Sequence, residues 1–174
     1  MDKPTGTSRT HGTDAERLIL RPFYDHDILQ MERWLYLSHV AKWYKHPEHW
    51  LRELRDRNEE FAFITHFIAE YDGDAFGFCQ YYDCYYSQLH EVWHEHWRVC
   101  DKQGEIFSID YLIGETDCLR RGFGKAIVAE LIGKLRTLNA GLCIVSPEIE
   151  NTTSCRVLEA NGFRLSNGEY ALDL

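Results

Sequence analysis

Ile106-Phe107-Ser108-Ile109-Asp110-Tyr111-Leu112-Ile113, then Cys118-Leu119-Arg120-Arg121-Gly122-Phe123-Gly124-Lys125, reads as a strand, a glycine-rich turn and the start of a helix. The strand is apolar on both faces except at Asp110, as a central strand covered on both sides would be. The helix continues with Ile127, Val128, Leu131, Ile132, Leu135 and Leu138 along one side. Gly122 and Gly124 let backbone N–H groups approach a phosphate closely, and a helix N-terminus adds the positive end of its dipole. Arg120, Arg121 and Lys125 bring formal charge to the same place: residues 118–140 hold five basic side chains against one acidic, in a chain of net charge −9. The turn is too short for a G-x-x-x-x-G-K-[ST] phosphate loop. Position 127 is Ile where a dinucleotide-binding turn needs its third glycine. A basic surface turn before an ordinary helix is the plainer alternative.

Outward from this stretch, Arg17 to Pro22 predicts a first strand stopped by proline, and Asp25 to Leu37 a helix with an acidic start. Pro47 to Arg57 predicts a second helix with proline in its first turn. Phe61–Tyr71 and Ala75–Tyr82 are strand runs joined through Asp72-Gly73-Asp74, a hairpin signal. Residues 83–104 are polar and aromatic without a period, long for a loop, and so either functional or hiding a helix. Downstream, Leu142–Val145 reads as a short buried strand. Asn151 reads as the N-cap of a helix ending near Asn161-Gly162, and two brief strands close the chain. No repeat is present. This order predicts an α/β sandwich with a mixed sheet in one domain over 16–174, behind a flexible leader at 1–15.

The chain has 174 residues, of which 44% are hydrophobic and 27% charged, which excludes disorder and collagen-like repeats. No run approaches the eighteen or so apolar residues of a membrane span, and the N-terminus lacks the apolar stretch of a secretory signal. The acidic balance argues against nucleic acid as the main partner and suits a cationic one. Six scattered cysteines form no C-x-x-C pair, and Cys79 and Cys143 sit in apolar runs as small hydrophobes. A reduced, cytoplasmic protein is expected.

Leu119-Arg120-Arg121-Gly122-Phe123-Gly124 resembles the acetyl-CoA signature Q/R-x-x-G-x-G/A of the GNAT superfamily of N-acetyltransferases, except at its first position. A second signature follows about thirty residues later, in Asn151-Thr152-Thr153-Ser154 leading to Leu158-Glu159-Ala160-Asn161-Gly162-Phe163. The resemblance spans roughly 16–172. It implies a mixed, mostly antiparallel sheet of six to seven strands flanked by about four helices, with acetyl-CoA as cofactor. Backbone groups around Leu112 and Ile113 would pair with the pantetheine arm. Amides of Arg121, Gly122, Phe123, Gly124 and Lys125, beside Arg120, would hold the pyrophosphate, and Asn151 and Ser154 would line the far wall. Leu158 stands where many members carry the tyrosine that protonates the departing thiolate. A homodimer is common in the family.

Within the superfamily, the chain is similar to aminoglycoside 6'-N-acetyltransferases and their siderophore-acylating relatives. Ile109-Asp110 stands twelve residues before Gly122, as Ile-Asp does in those resistance enzymes, and Gly77-Phe78-Cys79-Gln80-Tyr81-Tyr82 resembles their third strand. Asp110 is read as base or ammonium anchor, with a strand-end aspartate facing water as the alternative. Residues 83–118 carry eight acidic against two basic side chains, interleaved with Tyr82, Tyr85, Tyr86, Trp93 and Trp97. Gln80, Tyr82, Asp83, Glu95, Trp97 and Asp110 are therefore expected around a small cationic amine such as an aminoglycoside. The alternatives are a hydroxylysine-type siderophore precursor, a protein N-terminus, or a non-catalytic acyl-CoA-binding module. His90, His94 and His96 match no zinc spacing, and no metal is expected.

Overall fold

The computed structural model describes residues 18–90 and 99–174. Its strands are β1 (Leu18–Pro22), β2 (Ile64–Tyr71), β3 (Asp74–Asp83), β4 (Ile106–Ile113), β5 (Leu142–Val145), β6 (Arg164–Ser166) and β7 (Glu169–Asp173). They form one sheet in the order β1-β2-β3-β4-β5-β7-β6. Every neighbouring pair is antiparallel except β4 and β5. The helices are α1 (Ile28–Leu35), α2 (Ser38–Ala41), α3 (Pro47–Arg55), α4 (Cys84–Ser87), α5 (Phe123–Thr137) and α6 (Thr152–Ala160). None is long and apolar enough to cross a membrane.

Side-chain alternation along β4 divides the core in two. Phe107, Ile109, Tyr111 and Ile113 face a cluster with Ile127, Val128, Leu131 and Leu135 of α5 and Leu158 of α6. Leu112 joins the opposite cluster with Met31, Trp34 and Leu35 of α1, Val40 of α2, and Leu51 and Leu54 of α3. Each such buried aliphatic side chain contributes roughly 1.5–3 kcal/mol. The β2–β3 hairpin turns through Asp72 (φ 54°) and Gly73 (φ 88°), the double positive φ that a tight right-twisted hairpin requires.

Several boundaries differ from the sequence reading; the helix predicted over Pro47 to Arg57 ends at Arg55, and the one predicted from Asp25 begins as an α-helix at Ile28. The helix predicted to Leu37 stops at Leu35, and α2 follows as a single turn, too short to show a period. The strand predicted from Phe61 begins at Ile64, because Phe61 N–H bonds the Asp56 carbonyl and Ile64 N–H the Phe61 carbonyl in consecutive turns. The stretch without a period does contain a helix, α4, capped by Asp83. The predicted leader and the candidate residues Glu95 and Trp97 lie outside the described residues.

Candidate active site

The parallel pairing of β4 with β5 ends at Ser108 opposite Ile144, yet β4 runs on to Ile113 with β3 still paired on its other side. Two parallel neighbours that part in this way expose one strand's N–H and C=O groups to whatever enters between them. A cleft of about 470 Å³ lies there. One wall is the start of α5, where Gly122 (φ 85°) precedes the first helical residue and Arg120 is also left-handed (φ 61°). The opposite wall is the start of α6, where Asn151 Oδ1 accepts from Ser154 N–H at 3.2 Å.

Leu112, Ile113, Arg120, Gly122, Phe123, Gly124, Lys125, Asn151 and Ser154 all line this cleft. What several of them offer is backbone. Leu112 and Phe123 bury their side chains in the two cores, Phe123 against Phe76 with ring centroids 4.6 Å apart. Arg121 is placed differently: its guanidinium lies over the rings of Phe123 and Tyr71 at 5.0 and 5.8 Å.

Sequence reasoning missed one wall altogether. His39, Lys42, Trp43 and Tyr44 line the cleft from α2 and the segment after it, and Tyr111 from β4. Tyr44 Oη donates to the Tyr111 carbonyl at 2.6 Å, and His39 Nε2 lies 3.0 Å from the Ile113 carbonyl. Burial, and after it the nearby Asp110, push the Tyr44 hydroxyl well above the ordinary phenol range, so it stays a donor. Tyr111 Oη reaches Ser154 Oγ at 3.4 Å, joining β4 to α6. Lys45 and Glu148 tie the two walls together at 2.7 Å. That pair is exposed and adds little stability. Leu158 is fully buried in the α5 core and brings no polar group to the cleft.

A row of polar side chains crosses the sheet beside the end of the β4–β5 pairing. Register places His66 of β2 opposite Gln80 of β3, and Gln80 opposite Asp110 of β4, two residues past the last β4–β5 pair. Gln80 Nε2 donates to Asp110 Oδ2 at 3.0 Å. From the helical layer Glu53 of α3 joins the row, its Oε1 2.9 Å from His66 Nε2. Burial, reinforced by the Glu53 carboxyl, pushes Asp110 up to about 7, against the pull of the Gln80 hydrogen bond. Burial likewise pushes Glu53 up to about 8. His66 falls to about 3 through burial and the Arg57 charge, so it is neutral. A carboxyl titrating near neutrality thus stands where the strands part.

The other expected acceptor residues separate. Tyr82 is buried on the same face as Gln80, beside Ser108. Asp83 is spent on structure, since Oδ1 accepts from Tyr85 N–H at 2.9 Å and Oδ2 from Gly104 N–H at 2.7 Å. His90 packs against Phe63 with ring centroids 4.7 Å apart. Among the described residues no three His, Cys, Asp or Glu side chains converge as metal ligands. Cys79 and Cys143 are fully buried, and burial raises both thiols.

The chain belongs to the GNAT acetyltransferase family: residues 24–168 match the family's acetyltransferase (GNAT) domain. Membership makes it an N-acetyltransferase that draws its acetyl group from acetyl-CoA. Among solved structures, the aminoglycoside acetyltransferase AAC(6')-Ib in complex with coenzyme A and kanamycin shares the fold with a TM-score of 0.72 at 21% identity, over 90% of this chain and 94% of that one. The aminoglycoside N(6')acetyltransferase of Legionella pneumophila shares it with a TM-score of 0.69 at 15% identity, over 90% and 92%. No curated protein sequence matches significantly.

Proposed function

We propose that the protein acetylates a primary amine of a small cationic molecule, an aminoglycoside at its 6'-amine, with Asp110 as the residue that meets the amine. The observation that carries this reading is the place of Asp110: a carboxyl titrating near neutrality, two residues beyond the end of the β4–β5 pairing. The kanamycin bound by a neighbour of the same fold supports the substrate class. So does the excess of acidic side chains over 83–118.

The cleft fits acetyl-CoA on its own chemistry. It joins an open strand edge to a helix start with cationic side chains, and a Cβ at Gly124 would press on Tyr111 Cε2 at 3.2 Å. The first N–H groups of α5, with Arg120 and Lys125, would hold the phosphates. Backbone groups of Tyr111, Leu112 and Ile113 would hold the pantetheine arm, facing Asn151 and Ser154. Bound there, acetyl-CoA supplies a thioester carbonyl open to attack. Asp110 would hold the ammonium form of the acceptor and take one proton from it, leaving a neutral amine whose lone pair can attack; the second proton lost from nitrogen would go to the departing thiolate. A β4 N–H at the parting of the strands would stand ready to donate to the thioester oxygen. Leu158 offers no acid, but a thiol with a pKa of ~8.5 leaves unaided.

Coenzyme A thiol release from acetyl-CoA tests this, with kanamycin-type aminoglycosides set against lysine derivatives, polyamines and short peptides. Release with aminoglycosides alone is expected. Turnover of lysine derivatives or peptides instead would keep the family and discard the substrate.

A further inference from the structure

We propose that Glu53 is a positioning residue for Asp110: it keeps the proton of a buried acid pair, so that Asp110 carries the pair's single negative charge toward the acceptor amine. This rests on the reading that Asp110 meets the amine.

Glu53 is 1% exposed, on a helix whose neighbouring positions Arg52 and Arg55 face solvent. A carboxyl turned inward from such a helix needs a reason, because burying an ionised carboxylate is costly unless both oxygens are served. They are not. Glu53 Oε1 meets His66 Nε2, while Glu53 Oε2 is buried without a partner, as is Gln80 Oε1. Gln80, opposite His66 in the register, donates to Asp110 Oδ2, so one row runs from Glu53 through His66 and Gln80 to Asp110.

The groups around the pair supply Glu53 with no counter-charge. His66 on β2 is neutral, and Tyr44 and Tyr82 are held in their protonated forms. Arg57, whose charge reaches His66, donates instead to the Leu54 carbonyl and to Asp25. Two carboxyls in one buried row, with no cation beside them among the described residues, do not both ionise near neutrality, since the second charge meets the first. The one that ionises is Asp110, which is part-exposed at the parting of the strands, whereas Glu53 is sealed behind α3. The neutral acid can donate from one oxygen and accept at the other, which suits neutral His66 in either tautomer. The pair therefore presents one charge to one ammonium group.

The test is kcat/KM for the accepted amine from pH 5.5 to 9 in wild type and Glu53→Gln, with acetyl-CoA affinity measured alongside as a control of folding. Gln is uncharged, like the protonated Glu53 it replaces, so the acid-side midpoint should stay within about 0.3 pH unit of wild type and the ratio of kcat/KM at pH 6 to that at pH 8 within about twofold. A midpoint about one pH unit lower, with that ratio raised about fivefold, would show that Glu53 is ionised while Asp110 titrates and would overturn the proposal. Glu53→Ala, which leaves His66 Nε2 without its partner, should lower kcat/KM where Glu53→Gln keeps it; equal rates in the two variants would overturn it as well. Should Glu53→Gln not fold, carbon-13 carboxyl titration of the wild type decides. Two coupled steps with Asp110 ionising first are expected; a Glu53 already ionised at pH 5 overturns it. Failure of the underlying reading is separate, because it appears as full turnover in Asp110→Asn whatever the titration shows.

Discussion

Gly114→Ala should be among the most damaging single-methyl changes in this protein. Gly114 follows the last residue of β4, and a Cβ there would fall less than 3.0 Å from Cγ, Cδ1 and Cδ2 of Trp34. Neither side can give way cheaply. The indole is fully buried among the α1–α3 side chains, and its Nε1 donates to Glu115 Oε1 at 2.9 Å. The strand end is pinned as well, because the N–H groups of Gly114 and Glu115 both bond the Phe76 carbonyl, at 2.8 and 3.1 Å. Overpacking of this kind costs about 1–3 kcal/mol. A displaced indole also loses a hydrogen bond to a carboxylate, worth about 1.5–3 kcal/mol. The sum is roughly 2.5–6 kcal/mol, which lowers Tm by on the order of 10 °C in a chain of this size. Gly133→Ala is the internal control: that glycine is exposed within α5, with nothing within 4 Å of its Cβ position. There the alanine should stabilise by about 0.5–1 kcal/mol through helix propensity. Thermal unfolding of both variants by circular dichroism measures the contrast. A Gly114→Ala protein melting within about 2 °C of wild type would refute the packing argument, given that scale.

Gly124→Asp places a carboxylate at the start of α5, inside the cleft and against Tyr111, and should abolish acetyl-CoA binding; calorimetric titration that finds binding intact would move the cofactor elsewhere. Since Asp110 titrates near 7, coenzyme A release with an accepted amine should fall about tenfold from pH 8 to pH 6, whereas Asp110→Asn should be slow throughout with little change in acetyl-CoA affinity. The raised carboxyls of Asp110 and Glu53 keep protons that the unfolded chain has shed above ~4.5, so the stability they contribute is full below that pH and is lost as pH rises through 7 and 8; denaturant midpoints at pH 5.5 and 8.5 read this. Asp27 has the opposite sign. Its buried carboxyl is desolvated, but Arg21 and the Tyr24 N–H more than offset this and lower its pKa, so its contribution is present above about pH 4 and disappears as pH falls through the lowered value. Asp27→Asn should therefore cost about 1.5–3 kcal/mol at pH 7, with the gap to wild type narrowing as pH falls below about 4 in the same unfolding assay.

The cofactor cleft was largely legible before any coordinates. Its glycine-rich turn, the cap at Asn151 and the strand bearing Asp110 are local features. A turn that needs a positive φ selects glycine, a helix start selects an acceptor side chain, and a lone carboxylate stands out in an apolar run. What lay beyond reach depends on partners distant in the chain. The period-2 pattern of β2, β3 and β4 shows that each strand has two faces, but not which residues will stand opposite one another. The row His66, Gln80, Asp110 exists only because the registers bring those three positions into line. Tyr44 and His39 meet β4 from a four-residue helix and its flank, too short to announce itself by periodicity. Glu53 occupies the edge of an amphipathic helix, where sequence reads a solvated charge. Its spacing of three residues from Trp50 is the one hint that it turns inward. Residue order by itself determined the elements and the glycine-rich turn, because those follow from backbone geometry over a few residues. Tertiary structure decided that Glu53 is buried beside His66 in the same row as Asp110, because that depends on neighbours that only the packing of α3 against the sheet supplies.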